Sequence, residues 1–167
     1  SNLVSDIIYL FTPHMLGIAL NQTTNAEAVR ELKAFKRYMD RNTEYVPGGG
    51  DILKPDGTGF HHNTHYNNYM YAYRTWIQYI YYLKGTQYKI NADSYQRLKK
   101  AIISDYIMST LDTGDSRYFA NTLAGRKPFD IVTQFSKALF DNLIAIGTDC
   151  MGKQDDEIAS AYNYFFK

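Results

Sequence analysis

The chain has 167 residues, of which 45% are hydrophobic and 21% charged, with a net charge of +1. This composition points to one folded domain with its own core, not a disordered chain, and any polyanion-binding surface has to be local. A single cysteine, Cys150, excludes an intrachain disulfide, and no apolar run reaches transmembrane length.

The opening SNLVSDIIYLFTPHML lacks a basic leader and a cleavage pattern, so it does not read as a signal peptide. Residues 3–20 have helical character, and Pro13 predicts an end or a kink there. Thr24 or Asn25 can cap a helix running to about Arg41, with Val29, Leu32, Phe35 and Met39 on its apolar face. Its other face carries Arg30, Lys33, Lys36, Arg37 and Arg41 and reads as a solvated surface.

Residues 43–66 have no period and contain VPGGGDILKPDGTG, a long connection of the kind that is usually functional or mobile. A helix is predicted from about Asn68 to Lys84, with Gly85 as its stop. Tyr69, Tyr73, Trp76, Ile80 and Leu83 form one stripe, and Met70, Ile77, Tyr81 and Lys84 the adjoining one. A helix so apolar should be buried between neighbours. Asp93 can cap the next helix, to about Thr110, with Leu98, Ile102 and Tyr106 inward. Residues 111–130 read as a second irregular stretch. Asp130 can cap a helix from about Ile131 to Ile146, and a last helix covers about Asp155 to Phe166. No alternating strand is apparent. The fold class is all-α: about six helices joined as hairpins in a single domain over residues 1–167, with two long loops where function should sit.

The stretch PDGTGFHHNTHYNNY places three histidines at a loop-to-helix junction. His61, His62 and His65 admit a metal site, and with it a metal-dependent hydrolase. A zinc-protease helix, however, needs a glutamate beside its first histidine, and none is here. An acid/base site is the second reading. Backbone N–H groups at a helix start would favour a phenolate at Tyr69 and a carboxylate ligand. A tyrosine acts as a base near neutral pH only when positive neighbours depress its pKa. The third reading makes Tyr69 a core tyrosine and His62 a loop hydrogen-bonder. In NTLAGRKPFD, Gly125 permits a sharp turn and Arg126 offers planar donors to a carboxylate or glycosidic oxygen.

Four segments, PDGTGFHHNTHYNNY, IYYLKGT, LKKAIIS and LAGRKPF, together resemble the chondroitin ABC lyase group within polysaccharide lyase family eight. The resemblance covers roughly residues 52–130. The family places a histidine seven residues before its catalytic tyrosine, in a stretch opening Asp-Gly-Thr, which selects His62 and Tyr69 here. Its glycine-arginine turn selects Gly125 and Arg126. His61 and His65 stand where well-known members have arginine and asparagine. These two and Trp76 are expected to contact substrate.

The resemblance implies that the helical hairpins form part of an incomplete (α/α) toroid, so this chain would be a fragment of a larger lyase catalytic domain. It implies β-elimination on uronic acids of a sulfated glycosaminoglycan of the chondroitin or dermatan type, giving 4,5-unsaturated products. Neither cofactor nor metal is implied, and neither nucleic acid nor membrane is an expected partner. The expected partners are the polysaccharide and the remaining domains of the parent chain, in a secreted or periplasmic setting. One of those domains carries a catalytic glutamate in family members, and no matching segment exists here. The fragment alone is therefore expected to be inactive. A non-catalytic glycan-binding helical module is the alternative.

Overall fold

In the computed structural model the described residues are 5–61, 64–65, 71–114, 117–119 and 136–166. The fold is mostly helical, as expected. Six helices are described: α1 (Ser5–Leu20), α2 (Asn25–Arg41), α3 (Tyr71–Tyr82), α4 (Ala92–Ser109), α5 (Lys137–Met151) and α6 (Asp156–Phe166). Helix α1 packs on α2 and α3, α3 packs on α5, and α4, α5 and α6 pack on one another.

Local chemistry sets most helix ends. Thr24 caps α2 through a reciprocal box: its hydroxyl accepts from the Glu27 N–H, and its own N–H donates to Glu27 Oε2 at 3.1 Å. Helix α4 is capped by Asn91, two residues before the expected Asp93. The Asn91 side chain accepts from the Ser94 N–H at 2.7 Å, while its backbone N–H donates to Asp40 Oδ1 at 2.9 Å. The last turn of α2 thus fixes the first turn of α4, which decides between the two possible caps. Ser136 caps α5 in an extended conformation, so the helix begins after it and runs on to Met151, past the predicted end at Ile146. The predicted start, 131–135, lies outside the described residues. Gly85 stops the α3 segment with φ 74°, and its N–H donates to Asp149 of α5 at 3.1 Å.

Two expectations are corrected. Of the end or kink expected at Pro13, the end does not occur: helix α1 runs through it. A proline removes one intrahelical bond, and here Ile8, Leu16 and Ala19 hold the helix by burial on both sides of it. The two stretches read as irregular also contain strands. Strands β1 (Ile52–Leu53), β2 (Gly59–His61) and β3 (Thr64–His65) form an antiparallel sheet in the order β1-β2-β3. Strands β4 (Thr110–Asp112) and β5 (Arg117–Phe119) form a hairpin beyond α4. Strands of two or three residues are too short for alternation to register, and Ile52 and Leu53 are both buried.

The core is continuous across the helices. It joins Ile8 and Leu16, Phe35 and Met39, Tyr73, Trp76 and Ile80, Leu98, Ile102 and Tyr106, Phe140 and Leu143, and Ile158. The tyrosines on the described part of α3 divide between core and surface. Tyr73 is buried and donates its hydroxyl to the Asn42 carbonyl at 2.8 Å, while Tyr82 is exposed. Lys99 ties α4 to α6, lying 2.8 Å from Asp155 and 2.7 Å from Glu157. Burial pulls the pKa of this ammonium down, but the two carboxylates outweigh it and the net shift is upward.

Asp105, on the inward side of α4, is a buried carboxyl whose Oδ1 has no hydrogen-bond partner among the described residues. Burial raises its pKa to about 8. Its folded pKa therefore lies above the unfolded value, so the native state keeps a proton that the unfolded state releases. Stability should fall as pH rises from about 4 to about 8 and then level off. Asp105→Asn should flatten that slope and raise stability at pH 8 by roughly 1–3 kcal/mol, as read by urea denaturation across the pH series. An unchanged slope would show that Asp105 does not hold the proton.

Candidate active site

The segment leading to the expected catalytic histidine is built around Lys54. Residues 46–50 bend back over it, and its ammonium donates to the carbonyls of Val46 at 2.9 Å, Gly48 at 2.8 Å and Gly50. The same nitrogen lies 4.3 Å from the centre of the Phe60 ring. Burial lowers its pKa, while Asp51 and Asp56 pull it back upward. Ile52 follows with φ 80°, a left-handed conformation that a β-branched side chain adopts only under constraint. The captured loop on one side and the β1–β2 pairing on the other supply that constraint.

The chain then reverses through Pro55–Thr58. The Lys54 N–H donates to the Thr58 carbonyl at 3.0 Å, and Asp56 Oδ1 accepts from the Thr58 N–H at 2.9 Å and from its hydroxyl at 2.7 Å. Gly57, at φ 89°, presses against α4. A Cβ there would sit 2.5 Å from Ser104 Oγ and 3.2 Å from the Lys100 carbonyl. Asp56, Gly57 and Thr58 thus seat the hairpin on α4.

Strand β2 returns antiparallel to β1, with Ile52 opposite Phe60, and pairs with β3, with His61 opposite Thr64. His61 is buried. Its Nδ1 bonds Asp51 Oδ2, and its Nε2 lies 3.8 Å from Asp6 Oδ2 on α1. The ring therefore joins the strand, the glycine-rich loop and the first helix.

Of the residues expected to carry function, His62, Tyr69 and Arg126 lie outside the described residues. His65 is on β3 opposite Phe60, and its side chain also lies outside them. His61 is described, held by carboxylates in a buried setting. Trp76, expected to contact substrate, is instead fully buried in the core, its indole edge-on to Tyr73 at 6.1 Å between ring centres. One turn of α3 places it beneath the neighbouring helices. Among the described residues no three histidine, cysteine, aspartate or glutamate side chains gather as metal ligands would.

Sequence reading missed three features: the Asp51–His61 pair, the Lys54 capture and the buried Asp105. Asp51 and His61 are ten positions apart with a turn between them, a spacing without a local signature. The three glycines before Asp51 were the one available hint of close backbone approach.

The sequence profile of the family described as "Lyase, catalytic" matches residues 6–166. The chain belongs to this lyase catalytic family. It is similar to the chondroitin sulfate ABC endolyase of Proteus vulgaris, at 28% identity over 162 residues, covering 95% of this chain and 15% of that protein. The chain thus spans about one seventh of the length of that relative. No described helix is long and apolar enough to cross a membrane.

The seating of Gly57 is directly testable. Gly57→Ala should destabilise the fold by about 1–3 kcal/mol, because the residue combines positive φ with a steric clash. Ser104→Gly in the same chain should relieve the clash with the hydroxyl, offset by the lost bond to the Asp56 carbonyl and by a glycine within α4. Thermal melts of the single and double variants check this, and equal melts for Gly57→Ala and the parent would count against the packing described.

Proposed function

We propose that this chain is part of a polysaccharide lyase that cleaves uronic-acid-containing glycosaminoglycans of the chondroitin or dermatan sulfate type by β-elimination. The family match over residues 6–166 carries this reading. The similarity to a chondroitin sulfate ABC endolyase supports the substrate class.

In the proposed reaction a base removes the C5 proton, which is weakly acidic beside the uronate carboxylate. The electron pair left at C5 forms the C4–C5 double bond, and the bond from C4 to the bridging oxygen breaks. That oxygen takes up a proton as it leaves, so no water is consumed. Charge building on the carboxylate side has to be offset by positive or hydrogen-bonding groups. Tyr69 is proposed as the base, as the acid at the leaving oxygen, or as both in turn. His62 stabilises the carboxylate side or serves as a second base. Arg126 binds near the bridging oxygen and holds the Tyr69 phenol toward its ionised form.

The anchoring of His61 supports this assignment, because it fixes the strand end from which His62 follows. A base acts only within hydrogen-bond reach of its proton, so a strand secured by Lys54, Gly57 and Asp51 suits that demand. In the longer protein the helices would form one wall of an incomplete toroid. A glutamate and a second wall would come from other domains, and the protein would act in a secreted or periplasmic setting.

In that longer protein, Tyr69→Phe should lower turnover about 10²–10⁴-fold while glycan binding persists. Arg126→Lys should cost about 10²-fold, since a point charge does not reproduce a planar donor set. Ultraviolet absorbance of the unsaturated product reads both. Near-normal rates for Tyr69→Phe, or products carrying added water and no chromophore, would defeat the elimination reading. The C5 protons of glucuronate and iduronate lie on opposite ring faces. His62→Ala should therefore depress cleavage at iduronate more than at glucuronate, and equal losses would assign His62 to carboxylate stabilisation alone.

A further inference from the structure

A groove of about 450 Å³ runs along α4 beside the loop that follows α2. Arg97, Lys100 and Ser104 share one stripe of that helix at steps of three and four residues, and Tyr45 faces them from the loop after α2. The two cations are held in place by backbone oxygens. Arg97 Nε donates to the Thr43 carbonyl at 2.9 Å, and Lys100 Nζ donates to the Pro55 carbonyl at 2.6 Å. Neither forms an ion pair with a carboxylate among the described residues, in contrast to Lys99 next to them, which is taken up by Asp155 and Glu157. Lys100 Nζ lies 6.0 Å from the centre of the Tyr45 ring, itself partly exposed. Gln96 and Glu157, the latter paired with Lys99, also line the groove.

We infer that this groove binds an anionic sugar of the same polysaccharide. The choice of polymer rests on the lyase reading, and the site itself rests on the groove. A planar guanidinium and an ammonium with free donor capacity match a carboxylate or a sulfate ester. An aromatic ring beside them offers a surface to the apolar face of a pyranose. Gln96 and Glu157 then suit hydroxyl groups, which an inorganic ion lacks and which a purely cationic patch would not select. The volume falls within the range of pockets that hold small ligands. A nucleic acid would demand a broad basic surface, and the chain as a whole carries +1. Ser104 also donates to the Asp56 carbonyl at 3.3 Å, so the groove adjoins the turn that seats the β1–β2–β3 sheet. A polysaccharide held here would be retained by the protein between cleavage events.

The test is a titration of the ¹⁵N-labelled chain with a chondroitin sulfate tetrasaccharide, with its desulfated form, and with inorganic sulfate. Binding should move the amide signals of Tyr45 and of residues 96–104. Lys100→Glu and Arg97→Gln should each weaken it about tenfold, and Tyr45→Ala about threefold. Lys100 is exposed, so Lys100→Glu keeps the test valid if Arg97→Gln, which loses the Thr43 anchor, fails to fold. Unchanged affinity in the Lys100 variant, shifts confined to residues 59–71, no binding, or sulfate competing as well as the tetrasaccharide would each overturn the proposal. None of these results bears on release of unsaturated product by the longer protein, which tests the reaction separately.

Discussion

The capture of the Lys54 ammonium by three backbone carbonyls organises the region that the proposed chemistry requires. A loop as rich in glycine as residues 46–50 has carbonyls to satisfy and little side-chain packing to hold it. One buried cation meets the carbonyls of Val46, Gly48 and Gly50 together, and the Phe60 face covers it. Removing a charge from water is costly, and the downward pull on the Lys54 pKa reflects that cost. The carbonyl oxygens and the neighbouring Asp51 and Asp56 offset it. With the loop closed, Asp51 can reach His61, Ile52 is held in its left-handed conformation, and the turn at Asp56–Gly57 lies against α4.

The helices serve this region as a rigid frame. The α2 C-terminus, the α4 N-terminus and the buried Tyr73 hydroxyl meet around residues 40–43 through Asp40, Ser94, Arg97 and the Asn42 carbonyl. That junction lies at the start of the loop that Lys54 closes. The chain's tyrosines follow the same logic. Tyr73 fills core volume and spends its hydroxyl on a backbone oxygen. Burial raises its pKa well above the ordinary value, so it is no candidate for a base. A tyrosine suited to proton transfer needs nearby cations and an open face, and the resemblance assigns that role to Tyr69.

On the proposed reading, the small share of a related endolyase that the chain spans has a physical sense. Elimination beside a carboxylate needs base, charge stabiliser and leaving-group contact around one sugar ring, in a site with little water. A helical frame supplies side chains at fixed positions, and additional walls exclude solvent. Along α4, Arg97 and Lys100 are anchored by the Thr43 and Pro55 carbonyls.

The sequence by itself determined the helical class, Thr24 as one of two caps for α2, the stop at Gly85 and the inward positions Phe35, Met39, Leu98, Ile102 and Tyr106. These are short-range matters: a cap reaches three residues and an apolar stripe repeats every turn. The Asp-Gly-Thr histidine motif also carried the family, because its order and spacing survive in the linear text. Tertiary structure decided what depends on contacts across the fold. It chose Asn91 over Asp93 as a cap through Asp40, and it carried α1 past Pro13 by packing on both sides. It also buried Trp76, as the apolar stripe of its helix implied and against the expected substrate contact. The pairing of Asp51 with His61, the capture by Lys54 and the meeting of Tyr45 with Lys100 join residues from four to 55 positions apart. No local pattern encodes such meetings, because each forms only once the helices have fixed where the connecting loops can run.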